Sequence, residues 1–348
     1  VNPITLNLVM LMIFISPMIV LFSSHWLLTW IGFEMNLLAM IPLIMNKKTP
    51  RTTEAAVKYF MTQASASMIF LFSIIMNFIL SSQWTVMDFP DSVTSTLITI
   101  SMLMKLGVAP FHFWVPEVTQ GVPLKIGMII LTWQKLAPMY ILYQSIHTTN
   151  NLIMMTLALL SIMIGGWGGL NQLQLRKILA YSSIAHMGWM LMILTFNPTL
   201  MSFNLLIYII ITLTMFMLLK NYNTTTTSSL SQMWNINFTI TSMTLLTLMS
   251  LGGLPPLTGF APKWLIIQEL TKNNSLILPT IMAIMALLNL MFYLRIIYAS
   301  SMTLFPSMSM SKMKWLLKSQ KPNIITPSLI SLSILLLPLT PMFIILPL

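Results

Sequence analysis

Apolar segments about as long as a membrane-spanning helix follow one another along almost the whole chain, separated by short polar links. A transmembrane α-helix needs about 20 mainly apolar residues, so this pattern predicts an all-α polytopic membrane protein. We expect eleven transmembrane helices, at residues 3–22, 25–44, 55–80, 93–114, 123–145, 151–170, 177–197, 201–220, 238–272, 276–297 and 325–346. The ninth segment is too long for one helix, and its glycines and prolines at 252–256 predict that it is interrupted.

The composition supports a lipid environment. Only 7% of the 348 residues are charged and 57% are hydrophobic, whereas an ordinary soluble domain carries roughly 25% charge. These values exclude a water-soluble fold, and the hydrophobicity also excludes a disordered chain. The chain has no cysteine, which excludes disulfides, iron–sulfur ligation and cysteine nucleophiles. The four histidines lack metal-ligand spacing, so we expect no cofactor and no metal in this chain.

The net charge of +11 reflects membrane topology rather than nucleic-acid binding. Eleven crossings place alternate links on opposite sides, and most basic residues then fall on or near the side of the N-terminus. These residues are Lys47, Lys48, Arg51, Lys58, Lys125, Arg176, Lys177, Lys220, Arg295, Lys312, Lys314, Lys318 and Lys321. The opposite side receives Lys272. Because Lys and Arg are enriched on the inner face of a membrane, we expect the N-terminus inside and the C-terminus outside.

Three lysines and one glutamate remain inside the predicted spans: Lys105, Lys135, Lys263 and Glu34. A charge at the bilayer centre is costly, and residues of this kind usually mark proton or ion pathways. Snorkelling fails for Lys105 and Lys135, because a lysine stem does not reach the interface from mid-membrane. A structural ion pair with Glu34 explains one lysine at most. A buried lysine that gives up its charge is both a proton acceptor and a proton donor, and a nearby glutamate that changes its position or charge would switch it.

The local backbone supports hydrated surroundings for these lysines. Pro110 and Pro138 follow Lys105 and Lys135 closely, and a helical proline frees the carbonyl four residues back. We therefore expect free carbonyls at residues 106 and 134, each next to a lysine, with water or an ammonium group as partner. A plain helix kink is the alternative.

The interruptions also predict an internal repeat. Segments four and nine lie five helices apart, and an odd number of crossings gives two five-helix units opposite orientations. Interrupted segments at corresponding positions of two halves indicate inverted repeats. We predict a first repeat at residues 1–149 with Lys105 on its discontinuous helix, and a second at 150–300 with Lys263. Residues 301–348 form a basic inner loop and the last helix.

His186 lies near the middle of the seventh segment. A single histidine in a membrane helix more often makes a helix–helix hydrogen bond than a proton relay, and the sequence leaves both readings open.

Five stretches together resemble the subunit 2 family of mitochondrial NADH:ubiquinone oxidoreductase, respiratory complex I, in its vertebrate form. They are SHWLLTWIGFEMN at 24–36, KLGVAPFHFWVPE at 105–117, WQKLAP at 133–138, RKILAYSSIAHMG at 176–188 and GGLPPLTGFAPKW at 252–264. The resemblance extends over the whole chain. It implies an antiporter-like subunit of the membrane arm, built from two inverted five-helix repeats that each contain a discontinuous helix.

The resemblance also implies roles for the residues inside the membrane. Glu34 would be the glutamate that tunes the first lysine, and Lys105 the lysine of the first discontinuous helix. Lys135 would bridge two half-channels, Lys263 would be the lysine of the second discontinuous helix, and His186 would lie on the polar axis between the halves.

The function that the resemblance implies is proton translocation from matrix to intermembrane space, coupled to NADH oxidation by ubiquinone elsewhere in the complex. FMN, iron–sulfur clusters and ubiquinone would be bound by other subunits. The implied partners are membrane-arm subunits, with antiporter-like subunit 4 and small subunit 4L as neighbours, accessory subunits, and lipid such as cardiolipin. The implied location is the mitochondrial inner membrane. A free-standing Na⁺/H⁺ antiporter and a purely structural membrane-arm subunit are the alternatives.

Overall fold

The computed structural model describes residues 3–46, 49–85, 92–302 and 325–341, and in these ranges the chain is helical. The α-helices of the described residues are α1 (Pro3–Phe22), α2 (Trp26–Ile44), α3 (Pro50–Ser81), α4 (Ser92–Leu106), α5 (Trp114–Gly121), α6 (Leu124–Leu131), α7 (Leu136–Gln144), α8 (Asn151–Gly169), α9 (Leu175–Leu194), α10 (Pro198–Asn221), α11 (Thr227–Ile236), α12 (Phe238–Gly252), α13 (Phe260–Lys272), α14 (Ile277–Met302) and α15 (Ile325–Leu335). Three short 3₁₀ turns lie at 133–135, 146–148 and 337–339, and two isolated β-bridges join His25 to Thr85 and Gln174 to Thr226.

The predicted all-α membrane fold is confirmed. Among the described residues, α1, α2, α3, α8, α9, α10 and α14 are long and apolar enough to cross a membrane, and α4, α12 and α15 are shorter apolar helices. Seven of the predicted spans coincide with single helices, with ends that agree to within about five residues. Such agreement is expected because each spanning helix satisfies its backbone hydrogen bonds within itself and leaves an apolar surface for lipid.

Polar residues cap the beginnings of several helices. Thr49 caps α3, and its side chain accepts a hydrogen bond from the backbone N–H of Thr52. Asn197 caps α10 in the same way, with Pro198 at the first helical position. Proline is suited to that position because its missing N–H would have no partner inside the helix.

The chain divides into two compact units, Val1–Ser161 and Ile162–Leu348. In the first unit, α1 packs against α2 and α7, while α3 packs against α2, α4 and α5. Large apolar side chains of α1 remain exposed, as expected for a helix with one face outside the packed unit. The end of α4 therefore lies among α2, α3 and α7, which carry most of the polar residues considered below.

In the second unit, α10 packs against α9, α12, α13 and α15, and α14 packs against α11, α12 and α13. Among the spanning helices of the described residues, α9 is the most enclosed, with 83% of an 18-residue apolar stretch buried. The side-chain hydroxyl of Thr258 donates a hydrogen bond to the backbone carbonyl of Ser333. This bond joins the break between α12 and α13 to α15.

The fourth predicted segment, at 93–114, is discontinuous beside Lys105, as the sequence predicted: α4 ends at Leu106, and a separate helix starts at Trp114. One other predicted span was wrong in its continuity. The fifth, predicted as one helix at 123–145, consists of α6, a 3₁₀ turn at 133–135 and α7. Hydropathy reports only how long a segment remains apolar, so it does not detect a break between two apolar pieces.

One further expectation needs correction. The polar link predicted at 221–237 contains a helix, α11, which begins with a capping box at Thr226 and Ser229. The last span, predicted at 325–346, is α-helical from Ile325 to Leu335, forms a 3₁₀ turn at 337–339 and is helical again at 340–341. Its residues from 342 onward lie outside the described part of the chain. Several residues used in the topology lie outside the described residues, namely Lys47, Lys48, Lys312, Lys314, Lys318 and Lys321.

Candidate functional site

Lys105 lies in the last turn of α4, where the helix stops inside the packed unit. Gly107 ends the helix with a φ of +71°, a left-handed conformation that favours glycine. A Cβ atom there would lie 2.2 Å from Cγ2 of Val115, so the close return of the chain also requires glycine. The negative end of the α4 dipole favours a cation at this position.

The side chain of Lys105 is enclosed by aromatic rings and amides. Its Nζ atom lies 3.7 Å from the ring centroid of Phe33 on α2 and 5.8 Å from that of Phe70 on α3. Nε2 of Gln63 donates a 3.5 Å hydrogen bond to the Lys105 carbonyl. Ring faces within about 6 Å attract an ammonium group electrostatically, so they hold it where water is scarce. Only 9% of Lys105 is exposed.

Glu34 is half-buried on α2, next to Phe33. It is close enough to Lys105 for a Coulombic interaction, but it makes no ion pair within 4.0 Å among the described residues, whose pairs are Lys58 with Glu54 and Glu117 and Lys272 with Glu269. The alternative of a tight structural pair between Glu34 and Lys105 is therefore not realised. A carboxylate at this range acts on the lysine through its field.

Lys135 ends the 3₁₀ turn between α6 and α7 and is 5% exposed. The preceding residue, Gln134, exchanges two hydrogen bonds with Asn36 of α2. Nδ2 of Asn36 donates to Oε1 of Gln134, and Nε2 of Gln134 donates to Oδ1 of Asn36 over 2.8 Å. The turn that carries Lys135 is thereby joined to the helix that carries Glu34.

A single cavity of the first unit reaches both lysines. Its lining includes Lys105, Lys135, Asn36, Gln63 and Gln134 among apolar side chains. It offers about 20 Å³ to the centre of a water molecule, and about 10–15 Å³ is enough to hold one. A cavity with several polar groups on its wall can bind water that an apolar cavity of that size would exclude.

The prolines act differently from the sequence prediction. Pro110 lies beyond the end of α4, and the helix is broken at Gly107 rather than kinked by proline. Pro138 is the third residue of α7, a first-turn position that needs no N–H donor. The predicted free carbonyls at 106 and 134 therefore do not arise from proline inside a helix. The breaks come from glycine and from the change to 3₁₀ geometry.

Lys263 lies in the first turn of α13 and reaches back to the end of α12. Its Nζ atom donates a 2.8 Å hydrogen bond to the Gly252 carbonyl. Gly253 terminates α12 with a φ of +82°, and a Cβ there would lie 2.8 Å from the same Nζ. Lys263 is 8% exposed. The lysine side chain thus gives a partner to a carbonyl at an interrupted helix, a contact that the sequence predicted for the carbonyls at 106 and 134 but not for this one.

His186 is half-buried on α9 in the second unit. Its ring centroid lies 5.4 Å from that of Tyr208 on α10, at an interplanar angle of 43°. The Tyr208 hydroxyl in turn bonds to Ser183, one turn before His186. These contacts fit the helix–helix reading of the histidine and equally a polar chain along α9 and α10.

Sequence reasoning missed the amides and aromatic rings of the site. Asn36 lies two residues after Glu34, and Gln134 lies directly before Lys135. Both are polar residues inside predicted spans. That position was a usable signal, because an amide in hydrocarbon needs a partner. Phe33 gave no such signal, since a phenylalanine in a membrane helix is ordinary.

The described residues contain no group of three or more His, Cys, Asp or Glu that could hold a metal ion.

Comparison with known proteins gives two family matches that together cover most of the chain. Residues 23–289 match the family described as NADH:quinone oxidoreductase/Mrp antiporter, TM. Residues 290–344 match NADH dehydrogenase subunit 2 C-terminus. Among curated proteins, NADH-ubiquinone oxidoreductase chain 2 of Oryctolagus cuniculus is 62% identical over 340 residues, covering 98% of both chains. The protein of that name from Dasypus novemcinctus is 61% identical over 346 residues, covering 99% of both.

Solved structures agree on the fold. A chain of respiratory complex I from Thermus thermophilus superposes with a TM-score of 0.80 at 24% identity, covering 96% of this chain and 79% of that one. A chain of the Mrp complex from Dietzia sp. gives a TM-score of 0.77 at 17% identity, covering 84% of this chain and 59% of that one. At these identities the likeness establishes the architecture alone.

Proposed function

The chain belongs to the NADH:quinone oxidoreductase/Mrp antiporter family, and on that basis we propose that it is a proton-translocating, antiporter-like core subunit of the membrane arm of NADH:ubiquinone oxidoreductase. It moves protons across the mitochondrial inner membrane, driven by NADH oxidation by ubiquinone elsewhere in the complex. The enzyme activity belongs to the assembled complex, and the redox chemistry lies outside this chain.

The observation that carries the proposal is the cavity that reaches both Lys105 and Lys135. Proton transfer inside a membrane requires ionisable groups, a polar connection between them and exclusion of bulk water. The first unit supplies two buried lysines, a cavity with room for water and the carboxylate of Glu34 nearby. Glu34 controls whether Lys105 keeps or releases its proton, and Lys135 receives that proton through the cavity.

Lys263 acts at the second interrupted helix. Its contact with the Gly252 carbonyl gives the ammonium form a partner, and release of that contact accompanies release of the proton. Lys263 connects the lysines to the far exit or to the next subunit. His186 supports this polar route from α9 through its contact with Tyr208.

The proposed architecture is a pair of inverted five-helix repeats, at residues 1–149 and 150–300, followed by a basic loop and the last helix. It is supported by a break beside Lys105 in one unit and beside Lys263 in the other. The N-terminus faces the matrix and the C-terminus faces the intermembrane space, as the distribution of basic residues predicts.

The proposed partners are other subunits of the complex. Antiporter-like subunit 4 and small subunit 4L are adjacent, accessory subunits cover the remaining faces, and cardiolipin occupies lipid-facing grooves. FMN, the iron–sulfur clusters and ubiquinone are bound by other chains. The exposed apolar side chains of α1 and α14 are suited to contacts with lipid or with neighbouring helices.

Lys105→Ala in the assembled complex tests the proposal. We expect proton yield per NADH in sealed vesicles to fall, because the buried proton acceptor is lost. Lys125→Ala is the matched control, since Lys125 is an exposed lysine of the same unit. A normal proton yield in Lys105→Ala would contradict the assigned role.

The family that residues 23–289 match is also described as Mrp antiporter, which leaves one alternative, a free-standing Na⁺/H⁺ antiporter. Purification in mild detergent separates the two functions. Co-purification with flavin and iron–sulfur subunits supports the complex subunit, whereas an isolated chain that exchanges Na⁺ for H⁺ in vesicles supports the antiporter.

A further inference from the structure

We propose that the amide pair formed by Asn36 and Gln134 is a positioning element for proton transfer between Lys105 and Lys135. The proposal rests on the proposed proton-translocating function. It assigns the two amides no proton of their own to exchange. They set the place of Lys135 and hold the water through which a proton passes.

The first argument is the geometry of the pair. Each amide donates one hydrogen bond to the other and accepts one, which gives a two-bond contact between α2 and the 3₁₀ turn. A side-chain amide has two N–H groups and an oxygen with two lone pairs. Each partner therefore keeps one donor and one acceptor for a further group after the pair is formed.

The second argument is the location of those remaining groups. Asn36 and Gln134 both line the cavity that reaches Lys105 and Lys135. The rest of the lining is largely apolar, including Phe33 and Leu131. A water molecule in such a space needs two to four polar partners. The spare amide groups supply such partners in the cavity that both lysines line.

The third argument is the weakness of the turn that carries Lys135. Residues 133–135 form a 3₁₀ turn between two short helices. The hydrogen bond from the Lys135 N–H to the Thr132 carbonyl is long, at 3.3 Å. Geometry of this kind holds the backbone less firmly than an α-helix. Two side-chain contacts compensate. Trp133 donates from Nε1 to the Ile13 carbonyl over 3.0 Å, and Gln134 is bonded to Asn36.

The consequence is specific. Loss of the amide pair leaves both ionisable groups, Lys105 and Lys135, in the chain. It loosens the turn that carries Lys135 and removes hydrogen-bond partners from the water in the cavity. A proton-transfer step then becomes slower and limits turnover. A contact that merely fastened two helices would change assembly or thermal stability without making a proton step rate-limiting.

The experiment uses the assembled complex with Asn36→Leu and Gln134→Met, two changes that keep side-chain size and remove the pair. NADH:ubiquinone turnover is measured in H₂O and in D₂O, normalised to the amount of assembled complex. We expect turnover to fall ~threefold or more and the solvent isotope effect to rise, because a positioned proton transfer contributes a large part of such a rate. The exchanged pair, Asn36→Gln with Gln134→Asn, conserves both amides and their summed length, so it should restore most of the turnover.

The control is Asn289→Leu, an isosteric change at a buried asparagine of α14 that is not part of this cavity. It should leave turnover and isotope effect normal. If Asn36→Leu lowers assembly, Asn36→Ser replaces it, since serine is small and polar but forms no two-bond pair. Normal solvent isotope effects in both Asn36→Leu and Gln134→Met would overturn the proposal. Low turnover of the double variant Asn36→Gln with Gln134→Asn would overturn it as well. Lys105→Ala in the same assay separates the hypotheses: if it loses pumping while the amide variants behave normally, only the positioning inference fails.

Discussion

The Nζ atom of Lys263 lies 2.8 Å from the carbonyl oxygen of Gly252, so the lysine of α13 caps the C-terminal end of α12. The contact stabilises an ammonium in a buried place because a helix C-terminus carries partial negative charge and unpaired carbonyls. It also means that the lysine and the helix break depend on each other. A change in the backbone of the break must move the charge.

Gly253→Ala is the direct test of that dependence. A left-handed φ costs a non-glycine residue about 1–3 kcal/mol, and the new Cβ would lie 2.8 Å from the Lys263 Nζ atom. We expect a lower thermal stability of the complex and a reduced proton yield. Gly252→Ala is the control: its Cβ would lie 2.9 Å from the flexible end of the Leu290 side chain, which can move, and 3.7 Å from Tyr293, an ordinary contact distance. Equal effects of the two substitutions would contradict the prediction.

Gly107→Ala should disturb the other break. The residue has a φ of +71°, and its Cβ would lie 2.2 Å from Val115. The strain amounts to about 1–3 kcal/mol before the steric overlap with Val115 is relieved. We expect lower amounts of assembled complex, and residual turnover per complex that is also reduced, because Lys105 lies two residues away. Heat inactivation of the purified complex measures its stability, and turnover per complex measures its activity. Full stability would show that the chain can return to α5 along another path.

Glu34→Gln removes the charge near Lys105 and keeps the shape of the side chain. The carboxylate interacts with the lysine through its field, so its loss changes the energy of one protonation state relative to the other. We expect turnover to fall roughly fivefold, which corresponds to about 1 kcal/mol in the barrier. Glu269→Gln, a carboxylate paired with Lys272 in the other unit, is the control. Unchanged proton yield and turnover in Glu34→Gln would remove Glu34 from the mechanism.

Lys58→Met tests a site that we expect to matter little. Lys58 pairs with Glu54 and with Glu117 across α3 and α5, but all three side chains are well exposed. Exposed ion pairs contribute little and are screened by salt. Thermal inactivation of the variant should be close to that of the parent complex, and the small difference should vanish at high ionic strength. A large, salt-resistant loss would show that this cluster is covered in the assembled complex.

Prediction from sequence succeeded for properties that depend on short stretches of chain. The spans followed from apolar length, and the three buried lysines followed from the cost of charge in hydrocarbon. The interruption before Lys263 was visible because two glycines and two prolines lie within residues 252–256. A break beside Lys105 was also predicted, but it was attributed to Pro110, because Gly107 is flanked by apolar residues that continue the hydropathy of α4. Helix α11 was missed because its Thr- and Ser-rich sequence resembles a loop.

By itself, then, the sequence determined the membrane fold, the number and position of the apolar segments, and which charged residues lie inside them. Apolar length and charge burial are properties of the local chain, and lipid imposes them strongly. Only the tertiary structure decided that Phe33 covers the Lys105 ammonium, that Lys263 binds the Gly252 carbonyl, and that Asn36 pairs with Gln134. The Asn36–Gln134 contact joins residues 98 positions apart. They depend on how the helices pack and where each one stops, which no single stretch of sequence specifies.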